Sequence, residues 1–300
     1  MHELSQRALK ITMELNNKYH TKEEILLVSL HLFAQDGYET MCLMTQKRGD
    51  GEALAREHAP GADVVVCIGG DGTYTEVAAG VIASGAGTPI GYIPAGSTND
   101  FANSLKLSRD LMTAAKDILS GTARSYDMCR FGDRYFSYIA SFGAFTRASY
   151  SAPQNMKNML GHIAYILEGM RELSSLRSEH VTIEMDDGTV LDDYYLFGGF
   201  CNSTSVGGII TLDPKVVDMN DGLFEILLVK APRNTMELTE CVRALTEQDY
   251  NSGILRLYSA SHAKVTTAYT MDWSLDGEHV QSCGQVDLFD IKDAVQIIKA

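Results

Sequence analysis

Positive charge is scarce in this sequence of 300 residues. Lysine and arginine together number 25, against 39 aspartate and glutamate residues, which gives a formal net charge of −14. Proteins that bind duplex nucleic acid or an anionic membrane through charge need a dense basic surface. The deficit argues against either polyanion as the main partner, and we expect no nucleic-acid binding.

Cysteine pairs with metal-binding or redox spacing are also absent. The six cysteines form no C-x-x-C pair and have no histidine pair beside them. This excludes the common zinc and thioredoxin motifs and favours reduced thiols, each interpreted as a small buried apolar side chain. The sequence has no signal-like apolar core in its first twenty residues and no uncharged apolar run of about 18 residues. We therefore expect a cytoplasmic protein with no transmembrane segment.

Several nucleotide-binding and hydrolase motifs are missing. No lysine follows a glycine, so there is no P-loop, and no G-x-G segment reaches the third glycine of the dinucleotide fingerprint. The H-R-D and D-F-G motifs of protein kinases and the G-x-S-x-G and H-E-x-x-H motifs of hydrolases are absent. Any phosphate binding must use a different pattern.

The organisation of the chain changes near residue 125. Before it, apolar strands alternate with helical patterns, and strands buried on both faces predict a parallel sheet. After it, alternating strands meet at Asp-Gly and Gly-Asp pairs, a pattern typical of antiparallel structure. We predict an α/β domain over residues 1–125, with the tail 288–300 packing back on it, and a mainly antiparallel β-sandwich over residues 126–287.

The strongest local signal is VVVCIGGDGTYTEV at residues 64–77, an apolar strand that passes through a glycine-rich turn directly into a helix. Glycines let a phosphate approach backbone N–H groups, and the helix N-terminus adds partial positive charge. An aspartate beside that phosphate suits Mg²⁺. An ordinary strand–turn–helix junction needs only one or two glycines, so three around Asp71 favour phosphate binding.

A second turn, PAGSTNDF at residues 94–101, follows the next predicted strand. In a parallel sheet both turns lie at the carboxyl ends of strands, where such folds bind ligands. Simple helix capping explains Asn99 and Asp100 equally well when this turn is considered alone.

GGDGT at 69–73, PAGSTNDF at 94–101 and LDGE at 275–278 together resemble the diacylglycerol kinase catalytic-domain family, to which sphingosine kinases are related. The similarity extends over nearly everything from Tyr38 onward. GGDGT alone is shared with NAD kinases, but the combination is more specific. The resemblance implies an N-terminal domain of the NAD kinase/diacylglycerol kinase type. It also implies an ATP- and Mg²⁺-dependent lipid kinase of phospholipid metabolism, which phosphorylates a hydroxyl of diacylglycerol or a similar lipid.

The resemblance also implies roles for individual residues. Glu278 matches the proton acceptor, and Asp276 beside it is an equal candidate, although Asp-Gly also suits a plain hairpin turn. A structural metal site corresponds to Asp218, Asp221 and the carbonyl of Leu223, where a loop held by Asx turns is the open alternative. The residues implied in nucleotide binding, with Asp71 and Asp100 also organising Mg²⁺, are Thr45, Gly69, Gly70, Asp71, Gly72, Thr73, Tyr74, Thr75, Ser97, Thr98, Asn99 and Asp100.

One segment departs from the family pattern. The family's first strand ends in N-P-x-S-G, whereas residues 14–18 here read Glu14-Leu15-Asn16-Asn17-Lys18, without the proline or the glycine. Glu14 would bring a like charge towards phosphate, and Lys18 would offset it.

Two alternatives stay open: a non-catalytic nucleotide- or lipid-binding regulator descended from such a kinase, and an NAD kinase-like enzyme. Further expectations are peripheral contact with the membrane and a homodimer. An apolar lipid cleft is also expected, although such a stripe is more often core; its candidate lining is Phe142, Phe145, Ile163, Tyr165, Ile166 and Met170.

Overall fold

The computed structural model describes residues 7–14, 29–97, 99–143, 177–206, 210–211 and 217–300. The chain divides into two compact units, one formed by Met1–Tyr126 with Asp293–Ala300 and the other by Asp127–Lys292. No described helix is both long enough and apolar enough to span a membrane.

The first unit is an α/β structure. Its strands and helices are β1 (Arg7–Glu14), α1 (residues 29–35), β2 (Tyr38–Thr45), α2 (Asp50–His58), a 3₁₀ turn (Ala59–Gly61), β3 (Val64–Gly69), α3 (Asp71–Ser84), β4 (Ile90–Pro94), α4 (Asp100–Ser104) and α5 (Leu111–Ser120). β1 pairs in parallel with both β2 and β3, and β3 pairs in parallel with β4. Near the end of the chain, Ile297 pairs in parallel with Ile90 of β4.

Helices cover both faces of β3, and all six of its residues are buried. On one face, Ala115 and Ile118 of α5 join the strand's even-numbered valines in a common core. On the other face, the ring of Tyr74 in α3 packs against the ring of Tyr92 in β4 at a tilt of 33°, with 4.9 Å between ring centroids. This two-sided burial explains why β3 is a continuous apolar run, with none of the alternation of a half-exposed strand.

The second unit is rich in antiparallel strands. Its elements are β5 (Thr122–Phe131), which begins in the first unit, β6 (Arg134–Phe136), β7 (Ile139–Gly143), β8 (Glu179–Met185), β9 (Val190–Cys201), β10 (Ser205–Val206), β11 (Ile210–Thr211), β12 (Phe224–Lys230), α6 (Thr235–Glu247), β13 (Leu255–Ala260), β14 (His262–Leu275) and β15 (Glu278–Lys299), which ends in the first unit. Its core surrounds the fully buried Trp273, whose ring contacts Phe131, Phe142 and Phe200.

The predicted β-sandwich is wrong, because four strands close into a ring as in a barrel. β9 pairs with β8 over residues 190–195 and with β7 over residues 197–201. β14 likewise pairs first with β8 and then, from Trp273, with β7. A register irregularity between Thr266 and Thr270 separates these two parts of β14, and such bulges bend a strand so that it can change partners.

None of the six cysteines is in a disulfide. Cys42 and Cys283 are exposed, which departs from the expectation that every cysteine is buried, whereas the remaining four are buried.

Candidate functional site

The four parallel strands of the first unit end at one edge of the sheet. Glu14 at the end of β1 pairs with Thr45 at the end of β2, and Gly69 at the end of β3 pairs with Pro94 at the end of β4. The N–H of Ala95 donates to the carbonyl of Gly69 at 2.7 Å. Both glycine turns therefore start side by side at the edge where parallel sheets bind ligands.

The two glycine turns are packed backbone against backbone. A Cβ on Gly96 would lie 2.6 Å from the Cα of Gly70 and 2.6 Å from Oδ1 of Asn99. Asn99 has a left-handed backbone (φ 52°), and its amide closes the second turn through two bonds with Gly96. Oδ1 accepts from the Gly96 N–H at 3.0 Å, and Nδ2 donates to the Gly96 carbonyl at 2.9 Å. The Asn99 side chain therefore shapes the turn.

Asp71 joins the two turns through its carboxylate. Oδ2 accepts from the N–H of Asp100, the first residue of α4, at 2.7 Å, and Oδ1 accepts from the Tyr92 hydroxyl at 3.2 Å. Burial and the neighbouring Asp71 charge raise the pKa of Tyr92 well above its usual value, so the phenol stays protonated and donates. Asp71 itself is only 7% exposed. The carboxylate is thereby fixed at the start of α3.

Tyr74 lies in the core, although the sequence placed it among the nucleotide-binding residues. Its side chain is 0% exposed and is packed against Tyr92 and Phe101, with ring centroids 4.9 and 4.7 Å away. Its backbone N–H donates to the Gly70 carbonyl within α3. Tyr74 therefore supports the turns from beneath and offers no surface to a ligand.

The other predicted nucleotide-binding residues differ in accessibility. Ser97 is exposed and Thr75 half-buried, whereas Thr45 and Thr73 are buried. Thr98 and residues 15–18 of the departing segment lie outside the described residues.

Gly72 faces open space. Apart from its chain neighbours and the nearby backbone of α3, no described atom lies within 4 Å of the position that a Cβ on Gly72 would occupy. The fold of the described residues therefore gives no steric reason for a glycine at this position. A ligand approaching the turn would supply one.

Two residues that support this edge were missed by the sequence analysis. The sequence pattern around Tyr92 indicates only an apolar strand, and the signal that could have found it is a phenol in a fully buried strand, which needs a hydrogen-bond partner. Glu76 of α3 accepts from the N–H groups of Gly49 and Gly51 at 2.8 and 3.1 Å, which holds the loop after Thr45. No local sequence pattern predicts this contact between Glu76 and the loop.

The LDGE motif forms the turn of the β14–β15 hairpin. Asp276 (φ 49°) and Gly277 (φ 87°) both have left-handed backbones, as a two-residue type I′ turn requires. Glu278, which is half-buried, is the first residue of β15 and pairs with Leu275. The hairpin interpretation is correct, and the turn places both candidate carboxylates at the tip.

Four hydrogen bonds hold the Asp276 carboxylate. Oδ2 accepts from the N–H and the hydroxyl of Ser137 at 2.6 and 2.9 Å. Oδ1 accepts from the N–H groups of Tyr138 and Ile139 at 3.0 and 3.1 Å. A carboxylate offers about four acceptor positions, and these donors use that capacity. Glu278 is thus the better candidate for accepting a proton from a substrate.

The loop before β12 carries both predicted metal-binding aspartates, and each of them forms an Asx turn. Asp218 accepts from the Asn220 N–H at 3.1 Å, and Asp221 accepts from the Leu223 N–H at 2.9 Å. Asp127, which is fully buried, accepts from the Gly222 N–H at 2.7 Å. Among the described residues, no group of three or more His, Cys, Asp or Glu side chains is arranged to hold a metal ion. The Asx-turn alternative therefore accounts for the loop's internal bonds.

Two further buried acids adjoin this loop. Burial, together with the nearby Asp221, raises the pKa of Glu225 to about 8. Burial and Asp127 raise the pKa of Asp290 to about 7. Oε2 of Glu225 and Oδ1 of Asp290 are buried without a hydrogen-bond partner among the described residues. Unpaired buried oxygens of this kind call for a proton, a water or a cation.

The predicted lipid cleft receives no support from its described part. Phe142 is fully buried in the core against Trp273, with ring centroids 5.0 Å apart. The remainder of the predicted lining, up to Met170, lies outside the described residues.

Comparison with known proteins places the chain in a family. The family model for the diacylglycerol kinase catalytic domain matches residues 17–131. Diacylglycerol kinase from Bacillus subtilis is 35% identical over 252 residues, which cover 83% of this chain and 82% of the relative. Diacylglycerol kinase from Staphylococcus epidermidis is 30% identical over 250 residues, which cover 81% and 77%.

Solved structures share the fold. The crystal structure of a diacylglycerol kinase from Bacillus anthracis superposes with a TM-score of 0.71 over 98% of this chain and 97% of that chain, at 21% identity. The fold agrees across both chains, and the sequence relatives cover most of their own length and of this one. The chain therefore belongs to the diacylglycerol kinase catalytic-domain family.

Proposed function

We propose that this chain is an ATP-dependent lipid kinase that transfers the γ-phosphate of ATP to a hydroxyl of diacylglycerol or a similar lipid, with Mg²⁺. The observation that carries the proposal is the pair of glycine turns in the first unit, whose backbones are in close contact and which the Asp71 carboxylate joins. The curated relatives, which are named diacylglycerol kinase, support the lipid acceptor.

The first unit is assigned to nucleotide binding. The backbone from Gly69 to Thr75 and the exposed Ser97 lie at the carboxyl edge of the parallel strands, and α3 starts at this edge with the positive end of its dipole. Thr45, Thr98, Asn99 and Asp100 complete the proposed set. Asn99 contributes by closing its own turn.

Alanine at Gly72 tests whether the glycine serves the ligand. We expect Gly72→Ala to weaken ATP binding by about tenfold, equivalent to about 1.4 kcal/mol. The free energy of unfolding should stay unchanged or rise by up to about 1 kcal/mol, because alanine is the better helix former. Titration calorimetry and thermal unfolding measure the two effects.

Gly253→Ala is the matched control, since no described atom lies within 4 Å of its Cβ position either. It should leave ATP binding unchanged. Wild-type affinity in Gly72→Ala would show that no ligand approaches this position closely.

Asp71 and Asp100 are proposed to organise Mg²⁺. Bonds from Tyr92 and the Asp100 N–H fix the Asp71 carboxylate at the start of α3, and an oxygen ligand placed there suits the waters that Mg²⁺ keeps. Mg²⁺, when bound, would neutralise charge on the phosphate oxygens. The residues of the two turns hold the triphosphate in place for the transfer.

Glu278 is proposed to accept the proton of the lipid hydroxyl. The hydroxyl oxygen forms a bond to the γ-phosphorus, the bond from that phosphorus to the β–γ bridging oxygen breaks, and ADP leaves. The hydroxyl proton passes to the Glu278 carboxylate. Asp276 is left out of the proton transfer because four donors already occupy its oxygens.

A structural cation at Asp218, Asp221 and the Leu223 carbonyl is a further part of the proposal. The donors are all oxygen atoms, which hard cations prefer, and Mg²⁺ accepts few protein ligands because it retains waters. Glu225 and Asp290 each have a buried carboxylate oxygen without a hydrogen-bond partner among the described residues, and these oxygens favour a positive charge near this loop.

Mg²⁺ alone, without nucleotide, tests this site. We expect Mg²⁺ at tenfold above its Kd to stabilise the wild type by about 1.4 kcal/mol, and Asp221→Asn to lose most of that gain in thermal unfolding. Asp187→Asn is the control, because Asp187 forms a similar Asx turn with Thr189 in a different loop. Equal responses of the wild type and Asp221→Asn would remove Asp221 from the cation site.

The reaction itself is tested by transfer of label from γ-labelled ATP in mixed micelles that contain diacylglycerol, with NAD supplied as a competing acceptor. Label in lipid alone supports the proposal, and label in NAD alone favours the NAD kinase-like alternative. Nucleotide or lipid binding without any transfer favours the regulator. Action at a membrane surface and a homodimer stay predictions.

A further inference from the structure

The tip of the β14–β15 hairpin is fixed to the link between β6 and β7. Three successive backbone N–H groups, at residues 137–139, and the Ser137 hydroxyl all donate to Asp276. The N–H of Asp276 donates back to the carbonyl of Ile139 at 2.9 Å. Ser137 is fully buried, so these bonds are shielded from water. Hydrogen bonds to an ionised group are stronger than neutral ones.

A second Asp-Gly hairpin in the same unit is also bonded to a neighbouring strand link, but through the residue before its Asp-Gly pair. Between β8 and β9, the Asp187 carboxylate accepts from the N–H of Thr189 within its own turn at 2.8 Å. Asp187 and Gly188 are both exposed. The preceding Asp186 accepts from the hydroxyl and the N–H of Ser261, in the link between β13 and β14, at 2.5 and 3.3 Å. Both hairpin tips are therefore fixed to another strand link, and the tip at Asp276 differs in carrying the candidate proton acceptor Glu278 directly after its turn, where the other hairpin has Thr189.

We propose that Ser137 is a positioning residue of the phosphoryl transfer, which acts through Asp276 to hold the hairpin tip and thereby the Glu278 carboxylate. The inference rests on the proposed function. Glu278 is two residues beyond Asp276 and directly follows the turn, so a shift of the turn moves its carboxylate. Displacement of a reacting group by about 1 Å can cost about 100-fold in rate.

The Ser137 hydroxyl is the part of this arrangement that a side-chain substitution can remove. Ser137→Ala leaves the three backbone donors in place, so the fold is retained and only one of four bonds is lost. Ser137→Thr keeps the hydroxyl. Asp276→Asn keeps the size of the side chain, and asparagine tolerates the left-handed backbone. Its NH₂ group, however, would face N–H donors, from which it cannot accept a hydrogen bond.

The experiment measures kcat per folded enzyme, KM for ATP and the pH dependence of kcat for the full chain with diacylglycerol in mixed micelles. We expect kcat to fall about tenfold in Ser137→Ala and about 100-fold in Asp276→Asn, with KM for ATP within twofold of the wild type. Ser137→Thr should recover most of the rate. Because Glu278 remains the proton acceptor, the acidic limb of the pH profile should persist in all three variants. Asp187→Asn should match the wild type.

Three outcomes would overturn the inference. Wild-type kcat in both Ser137→Ala and Asp276→Asn shows that the bonds do not position the acceptor. Loss of the acidic limb in Asp276→Asn makes Asp276 itself the proton acceptor. Failure of Ser137→Thr to recover the rate, with folding retained, removes the hydroxyl from the explanation. A wild-type enzyme that transfers no label to lipid instead overturns the proposed function, which distinguishes the two failures.

Discussion

Glu278→Gln is expected to lower kcat for phosphoryl transfer to diacylglycerol by about 1,000-fold, inside the 10²–10⁴-fold range of general acid–base catalysis. Glutamine keeps the length of the side chain and its capacity for hydrogen bonds but cannot take up the hydroxyl proton. The proposed nucleotide-binding residues belong to the first unit and Glu278 to the second. The rise in melting temperature on adding Mg-ATP should therefore equal that of the wild type.

Glu184→Gln is the control for removing a negative charge. Glu184 forms an ion pair with Lys264 at 2.7 Å, has a partly exposed side chain and lies on β8 of the same unit. Its kcat should stay within twofold of the wild type, since exposed ion pairs contribute little. A kcat in Glu278→Gln as high as in Glu184→Gln would contradict the proton-acceptor role of Glu278.

Gly96→Ala is expected to destabilise the protein by about 1–3 kcal/mol, the usual range for overpacking a close contact, and to abolish the thermal shift caused by Mg-ATP. The new Cβ would lie 2.6 Å from the Gly70 Cα, and neither the backbone of that turn nor the bonded Asn99 amide can yield easily. The turns must move apart, so the backbone that is proposed to hold the phosphates is deformed. Thermal unfolding with and without Mg-ATP measures both effects.

Gly70→Ala probes the same contact from the other side. Its Cβ would meet the Gly96 Cα at 3.4 Å, which is ordinary van der Waals contact. We expect a smaller loss of stability than in Gly96→Ala. The reverse order, or equal stability of both variants and the wild type, would contradict the close packing of the two turns.

Local features of the first unit could be predicted from the sequence because each is encoded by neighbouring residues. The apolar run of β3 followed by glycines gave the strand, the turn and the start of α3. Asn99 illustrates the limit of this reasoning, since ligand binding and capping looked equally good from the sequence. The structure corrects the capping interpretation, because the Asn99 side chain makes no capping bond to α4 and instead closes its own turn around Gly96.

Contacts between distant residues could not be predicted in this way. The bond between Tyr92 and Asp71 spans 21 positions, and the bonds between Ser137 and Asp276 span 139. The family resemblance made Asp276 and Glu278 equal candidates, and only the donors around Asp276 separate their roles. No periodicity or motif in the sequence points to Ser137.

The sandwich prediction failed for a related reason. Alternation of apolar and polar residues along strands, together with Asp-Gly turns, indicates that neighbouring strands are antiparallel. It does not indicate how the sheet closes. In this unit the closure depends on β14 changing partners from β8 to β7, beyond the irregularity between Thr266 and Thr270. A partner change is a property of three strands together, and the sequence of one strand does not specify it.

The most direct test of the account follows the γ-phosphate of labelled ATP in one reaction that contains Mg²⁺, diacylglycerol micelles and the full chain. The account predicts label in a phosphorylated lipid, with release of ADP, and loss of that product when Mg²⁺ is chelated or when Glu278 is glutamine. Label that stays in ATP, or appears only as inorganic phosphate, while the protein is folded and binds Mg-ATP, would contradict it.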